Sequence, residues 1–132
     1  MAVVSCKNNA HSVTSAEVNL EIDNNGTWMD AFQFGKPNDH NWTLKDQTFE
    51  LDVQRNAYDL VPLLSLTTVN GRIIVDDENQ RVIHFNVPAA DIQENLDPGI
   101  YVYDLVMINA FDQRVPLMHG TLEVVQGVTY PP

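Results

Sequence analysis

The stretch LDPGIYVYDLVMINAFDQRVPLMHGTLEVVQG, from Leu96 to Gly127, decides the fold. Two runs of alternating apolar and polar residues flank the polar segment NAFDQR. A period of two places successive side chains on opposite faces of a strand. The stretch therefore predicts a hairpin of two central strands with one buried face. The residues expected on that face are Tyr101, Tyr103, Leu105 and Met107, followed by Met118, Gly120, Leu122 and Val124.

Short strands separated by turns are predicted for most of the remaining chain. TFELDVQR (residues 48–55) alternates strictly, and HSVTSAEVNLEI (11–22) alternates with a slip in its middle. Asn70-Gly71 and the polar segment DDENQ (76–80) each indicate a hairpin. PAADIQENL (88–96) is the one helical candidate, about two turns long. This pattern predicts an all-β, antiparallel β-sandwich with one short connector helix, and a closed barrel is the second choice.

Composition limits the classes of partner. The chain has 132 residues, which suits one domain, and a net charge of −11. Nucleic acids and anionic membranes need a basic protein face, so we expect neither as a partner. An acidic surface could steer the chain toward a basic partner, although a plainly solvated acidic surface is the more common case. No apolar run reaches the roughly 18 residues of a membrane span. We expect a protein made without export.

Residue types that could form a catalytic or metal site are scattered along the sequence. His11, His40, His84 and His119 lie in separate segments without the spacing of metal ligands. The acidic run Asp76 to Glu78 lacks the pattern of a calcium loop. Cys6 is the single cysteine, and no nucleophile or nucleotide motif is present. We therefore expect no catalytic, cofactor or metal site and no enzyme activity.

Aromatic residues leave one alternative open. Trp28, Trp42, Tyr58 and Tyr130 could form a sugar-binding platform, which would make the chain a soluble carbohydrate-binding module. Large aromatic side chains more often supply the core of a small sandwich. We therefore favour Trp28 in the core and Trp42 as the anchor of a loop.

The second half of the chain resembles a family of small phage virion proteins. The similarity rests on LTTVNGRI at the entry to a hairpin, the connector PAADI, the strand PGIYVYDL, and a return strand that starts at Arg114. GTWMDAFQF and LKDQTFELDVQR are similar to the family's two leading strands. The family is similar to the N-terminal domain of phage baseplate upper proteins. The resemblance covers roughly residues 26–128.

The resemblance implies an immunoglobulin-like β-sandwich with a structural role in the virion and no catalytic residues. Tyr101, Tyr103, Asp104 and Gly120 match its pattern as packing and turn positions. We expect an N-terminal strand or arm over residues 1–25, the sandwich over 26–128 and an extended tail over 129–132.

The expected function follows from the same resemblance. It is an assembly or adaptor module of the tail, baseplate, neck or fibre attachment, or a capsid decoration subunit. The expected partners are other virion proteins, either tail and fibre proteins or capsid subunits, with the chain as a homo-oligomer in the particle. The short chain favours a stand-alone adaptor or a decoration subunit over a baseplate arm. The expected location is the virion, after synthesis in the host cytoplasm.

Overall fold

A computed structural model describes residues 2–4, 7–8, 13–34, 44–78 and 81–128. Within these ranges the chain forms one short helix and a series of strands. The N-terminal strands are β1 (Ala2–Val4), β2 (Lys7–Asn8), β3 (Val13–Thr14), β4 (Ala16–Glu17) and β5 (Leu20–Asp23). The next strands are β6 (Trp28–Phe34), β7 (Thr48–Gln54), β8 (Leu64–Thr67), β9 (Ile73–Val75) and β10 (Val82–Val87). Helix α1 (Ala89–Asn95) and strands β11 (Gly99–Ile108) and β12 (Arg114–Val125) follow.

The strands form two main sheets around one apolar core. The four-stranded sheet has the order β1-β6-β10-β9. The six-stranded sheet runs β12-β11-β7-β8, and β4 and β5 add to β12 in parallel. These strand orders match those of the ABED and GFCC′ sheets of an immunoglobulin domain, with the difference that β1 runs parallel to β6. The fold is thus an all-β, immunoglobulin-like sandwich with one short helix, as predicted.

The hairpin of β11 and β12 lies at the centre of the six-stranded sheet. Tyr101 and Tyr103 are 1% and 4% exposed, so their predicted burial is confirmed. Gly120 pairs with Tyr103, and the register then shifts beyond Leu105, so that Leu117 is an extra, buried residue. This β-bulge keeps Leu117 and its neighbour in the core while the strand bends.

A hydrogen bond that is common in immunoglobulin-like folds lies just after helix α1. The Tyr101 hydroxyl donates to the carbonyl oxygen of Asp97 at 2.6 Å, just after the helix. This matches the tyrosine corner, in which a tyrosine of strand F bonds to backbone a few residues upstream. Immunoglobulin domains place the second cysteine of their inter-sheet disulfide two residues later, and here that position is Tyr103.

Aromatic side chains of the four-stranded sheet fill the space between the sheets. The Trp28 ring meets Phe85 edge to face with centroids 5.4 Å apart, and Phe32 contacts the same ring at 5.3 Å. The Trp28 indole N–H donates to an oxygen of Asp30 at 2.8 Å. Trp28 is buried, as predicted. Trp42 lies outside the described residues.

The segment predicted as an N-terminal arm contains β1 to β5. The slip in its alternation falls between Val13 and Val18, where β3 ends and β4 begins. Val18 itself lies between β4 and β5. There Val18 donates its N–H to the His119 carbonyl at 2.8 Å and accepts a hydrogen bond from the Tyr103 hydroxyl. A Cβ atom on Gly120 would lie 2.3 Å from the Val18 carbonyl oxygen. Gly120 therefore lies where any side chain would collide with the backbone of the N-terminal segment. The predicted tail, residues 129–132, lies outside the described ranges.

The hairpin predicted at Asn70-Gly71 is wrong. This turn connects β8 of the six-stranded sheet to β9 of the four-stranded sheet. The Asn70 side-chain oxygen accepts hydrogen bonds from the N–H groups of Thr67 and Arg72, both at 3.0 Å, and Gly71 has a φ of 79°. The turn is as tight as predicted, but it leads across the sandwich. The second predicted hairpin, β9 with β10, is confirmed.

Candidate functional site

A row of polar side chains crosses the outer face of the six-stranded sheet. Residues directly opposite each other in neighbouring strands point to the same face. Their neighbours along each strand, such as Val53 and Leu105, are fully buried, which assigns the row to the outer face. From β8 to β4, the row is Ser65, Asp52, Asp104, His119 and Glu17.

Two carboxylates face each other within this row. Asp52 of β7 pairs directly with Asp104 of β11. Like charges at directly opposed positions destabilise a sheet. Partial burial, and next the charge of Asp52, raise the pKa of Asp104, and Arg114 and His119 partly offset this shift. The Ser65 hydroxyl donates to Asp52 at 2.6 Å, which supports one of the two carboxylates.

The side chain of Ser15, just before β4, holds His119 in place. The Ser15 hydroxyl oxygen and His119 Nδ1 are 2.8 Å apart, and the donor depends on the imidazole tautomer. A serine nucleophile needs an imidazole that a carboxylate orients by a hydrogen bond. Among the described residues, His119 is hydrogen-bonded to Ser15, and no hydrogen bond joins its imidazole to a carboxylate. The row therefore provides carboxylate acceptors for a cationic group. It does not have the arrangement that a proton relay needs.

All residues of this row except Ser65 line a groove of about 540 Å³, which we call the acidic groove. Asp52, Val102 and Asp104 belong to its floor. Glu17 and Asn19 border it on the β4 side, and the segment after β7 borders it on the other. The full lining is Glu17, Asn19, Asp52, Gln54, Ala57, Asp59, Val102, Tyr103, Asp104, Arg114, His119, Gly120 and Thr121.

The segment of residues 55–63, which we call the apolar loop, joins β7 to β8 beside this groove. The Gln54 side-chain amide donates to the carbonyl oxygens of Asn56 at 3.1 Å and Asp59 at 3.0 Å, which fixes the base of the loop. Tyr58, Leu60 and Val61 are nevertheless 92%, 96% and 76% exposed. An ordered loop thus presents three large apolar side chains to solvent.

A further exposed apolar residue lies at the opposite end of the sandwich. Phe111, at the tip of the β11–β12 hairpin, is 84% exposed. The Asn109 side-chain oxygen accepts hydrogen bonds from the N–H groups of Phe111 and Gln113 and so orders this tip. The tip lies at the Thr48 end of β7 and the apolar loop follows the other end. Seven residues of strand separate the two by about 20 Å.

The outer face of the four-stranded sheet also carries a shallow groove, of about 490 Å³. Met29 and Ile74 contribute exposed apolar surface there. His84 Nε2 lies 2.8 Å from a carboxylate oxygen of Asp76, so the imidazole already has a partner within the chain. A single carboxylate, that of Asp30, lines this groove, in contrast to the four that line the acidic groove.

The structure separates the chemical residues that the sequence singled out. His84 and His119 lie on different sheets, while His11, His40, Cys6 and Tyr130 fall outside the described residues. The acidic run that begins at Asp76 is at the tip of the β9–β10 hairpin. Within the described part of the chain, no three His, Cys, Asp or Glu side chains are grouped to hold a metal ion, and no helix is long and apolar enough to cross a membrane.

Sequence reasoning did not find the acidic groove. Strand alternation placed Asp104 and His119 on the solvent side, and it did the same for Asp52. It did not show that Asp52 and Asp104 meet, because the register between β7 and β11 joins segments about fifty positions apart. The only available signal was the shared outward parity of the three residues.

We expect replacement of Asp104 by asparagine to keep or slightly raise stability at pH 7. The raised pKa of Asp104 means that folding favours its protonated form, so its stabilising contribution is complete below the usual value of 3.8 and is lost as the pH rises through the folded-state pKa. Because the side chain is largely solvated, the gain should stay below about 1 kcal/mol. Urea unfolding at pH 3 and pH 7 measures it, with Asp77→Asn at the exposed hairpin tip as the control. A loss of stability at pH 7 in Asp104→Asn alone would show that the carboxylate is stabilised in the fold.

Comparisons with known proteins give only distant similarities. No family model matches the chain, and no curated protein matches its sequence. Solved structures with a related arrangement include CopC from Methylosinus trichosporium OB3b, with 9% identity, a TM-score of 0.42, and coverage of 87% of this chain and 89% of that one. Murine CRIg has 11% identity and a TM-score of 0.35 over 83% of this chain and 92% of its own. Extracellular domains 3–5 of Drosophila OTK have 15% identity and a TM-score of 0.34, over 92% of this chain and 38% of theirs. At this distance, none of these similarities carries an argument about function, and the immunoglobulin-like assignment rests on the strand order of the chain itself.

Proposed function

We propose that this chain is a non-enzymatic structural protein of a bacteriophage virion. It acts as an assembly or adaptor module of the tail, baseplate, neck or fibre attachment, or as a capsid decoration subunit. The observation that carries the proposal is the pair of ordered, exposed apolar sites at the two ends of one rigid sandwich. The resemblance of the sequence to small phage virion proteins supplies the biological setting.

Apolar side chains that stay in water at an ordered site indicate a surface that becomes covered. Single exposed apolar residues are common on monomers, but grouped ones mark interaction sites. The apolar loop groups Tyr58, Leu60 and Val61, and its backbone is fixed by the bonds from Gln54. At the far end, Phe111 is a single exposed aromatic side chain on an ordered hairpin tip. A module with one contact at each end can join two neighbours, which is the work of an adaptor.

The alternative, a carbohydrate-binding module, receives less support. Its proposed platform needed Trp28, and that side chain is in the core. Tyr58 is exposed, whereas Trp42 and Tyr130 fall outside the described residues. The exposed aromatic residues Tyr58 and Phe111 lie at opposite ends of the sandwich and so do not form one row.

The test is to locate the protein in phage lysate. An antibody to the recombinant chain is used to probe density-gradient fractions from cells infected by the phage that encodes it. We expect signal that bands with complete particles, and immunogold labelling then separates head from tail. Signal confined to the soluble fractions at the top of the gradient would reject the virion role, and binding on a glycan array would then favour the carbohydrate-binding alternative.

A further inference from the structure

We infer that the acidic groove and the apolar loop together form one docking surface for a protein segment that carries basic side chains next to apolar ones. This inference rests on the proposed assembly role and names the chemistry of the partner. The two halves of the surface are continuous, since Ala57 and Asp59 of the apolar loop line the acidic groove.

The acidic groove favours a cationic ligand. Four carboxylates, those of Glu17, Asp52, Asp59 and Asp104, line the acidic groove. Arg114 also lines it, and its guanidinium is 3.6 Å from Glu50, a carboxylate outside the lining. Asp52 and Asp104 are directly opposed, so two like charges lie side by side in the groove. A lysine or arginine side chain inserted above this pair would relieve their repulsion and make charge-assisted hydrogen bonds with both.

The apolar loop favours a protein partner over a small cation. A metal ion or polyamine would leave Tyr58, Leu60 and Val61 in water. Ile100, at the start of β11 and on the outer side of the same sheet, is also exposed and extends the apolar surface along the sheet. Burial of these side chains needs a partner with apolar groups of its own. The net charge of −11 also disfavours an anionic lipid or nucleic acid on this face.

The test uses the purified full chain and three synthetic peptides of equal length. Their cores are Lys-Lys-Leu-Leu, Lys-Lys-Ser-Ser and Glu-Glu-Leu-Leu, each flanked by Gly-Ser repeats. Titrations followed by amide chemical shifts at low ionic strength give both the affinity and the residues affected. We expect the Lys-Lys-Leu-Leu peptide to bind tightest, with shifts concentrated at β7, β11 and the apolar loop. Equal affinity of the first two peptides would overturn the apolar half of the inference.

Matched variants separate this site from the general negative charge of the chain. Asp52→Asn with Asp104→Asn removes two charges from the groove, and Asp77→Asn with Glu78→Gln removes two from the exposed tip of the β9–β10 hairpin. We expect the first pair to weaken Lys-Lys-Leu-Leu binding by about tenfold or more and the second pair by less than about twofold. Equal weakening by both pairs would overturn the inference, since it would show attraction to the whole charged surface.

A second pair of variants tests the apolar loop in the same way. Val61→Ser changes an exposed valine of the apolar loop, and Val69→Ser changes a still more exposed valine in the turn after β8. Only Val61→Ser should weaken binding of the Lys-Lys-Leu-Leu peptide. The same weakening by Val69→Ser would reject the apolar loop as part of the surface. These peptide results are independent of the particle location, so a soluble protein that binds the peptide rejects the virion role alone, and a particle protein that fails here rejects the docking surface alone.

Discussion

Replacement of Tyr103 by alanine is expected to lower the free energy of unfolding by about 3–5 kcal/mol, the range for removal of a core aromatic side chain. Tyr103 lies in the central strand of the six-stranded sheet and is 4% exposed. Its removal opens a cavity between the sheets and leaves the Val18 carbonyl without its hydroxyl donor. Urea unfolding followed by tryptophan fluorescence measures the change, because Trp28 is in the same core.

Tyr103→Phe is the matched control for this experiment. It keeps the ring and removes only the hydroxyl, so we expect a loss of about 1–3 kcal/mol, the cost of a buried acceptor without a partner. Burial, and next the Asp30 carboxylate, raise the pKa of the Tyr103 phenol, so the hydroxyl stays a neutral donor at pH 7. Unchanged stability in Tyr103→Ala would show that the ring is not in the core. A loss in Tyr103→Phe as large as that in Tyr103→Ala would assign the whole effect to the hydrogen bond.

The burial pattern of β7 followed from its sequence, because alternation depends on local geometry alone. Phe49, Leu51 and Val53 alternate with polar residues, and all three are buried as expected. The connector helix was equally predictable, since Pro88 suits a helix start and Asp97-Pro98-Gly99 disfavours continuation. These signals need no knowledge of the rest of the fold.

The sequence did not predict which sheet the strand after Asn70-Gly71 joins. Asn70 and Gly71 specify a tight turn through the side-chain oxygen of Asn70 and the positive φ of Gly71. That chemistry is the same whether the next strand pairs with the previous one or crosses to the other sheet. The choice depends on packing: Leu66 and Ile73 are both in the core but belong to different sheets.

The acidic groove could not be predicted from the sequence for a related reason. Parity predicts that Asp52 and Asp104 point outward, but only the register between β7 and β11 places them opposite each other. Register is set by the packing of the buried faces, here by Leu51 against Leu105 and Val53 against Tyr103. A site made from three strands is therefore visible only after the sheet has been assembled.

Replacement of Gly120 by alanine is the second change with a large expected effect. The new Cβ would lie 2.3 Å from the Val18 carbonyl oxygen and 2.9 Å from the Val18 carbonyl carbon, and backbone atoms cannot rotate away as a flexible side chain can. The link between β4 and β5 must therefore move off β12. This movement strains the hydrogen bond between Val18 and His119 and the one from the Tyr103 hydroxyl.

We expect Gly120→Ala to cost about 1–3 kcal/mol, the usual range for overpacking in a tightly packed region. Gly26→Ala is the control, because nothing lies within 4 Å of a Cβ at that turn, and it should leave stability nearly unchanged. Hydrogen exchange locates the effect: the amide of Val18 should lose protection in Gly120→Ala, whereas that of Leu105 in the centre of the sheet should keep it. If Gly120→Ala is as stable as the wild type and Val18 stays protected, β4 and β5 do not pack against Gly120 in solution. The pairing of the N-terminal strands with β12 would then be wrong, and with it the β4 wall of the acidic groove, which depends on the same contact to place Glu17 beside His119.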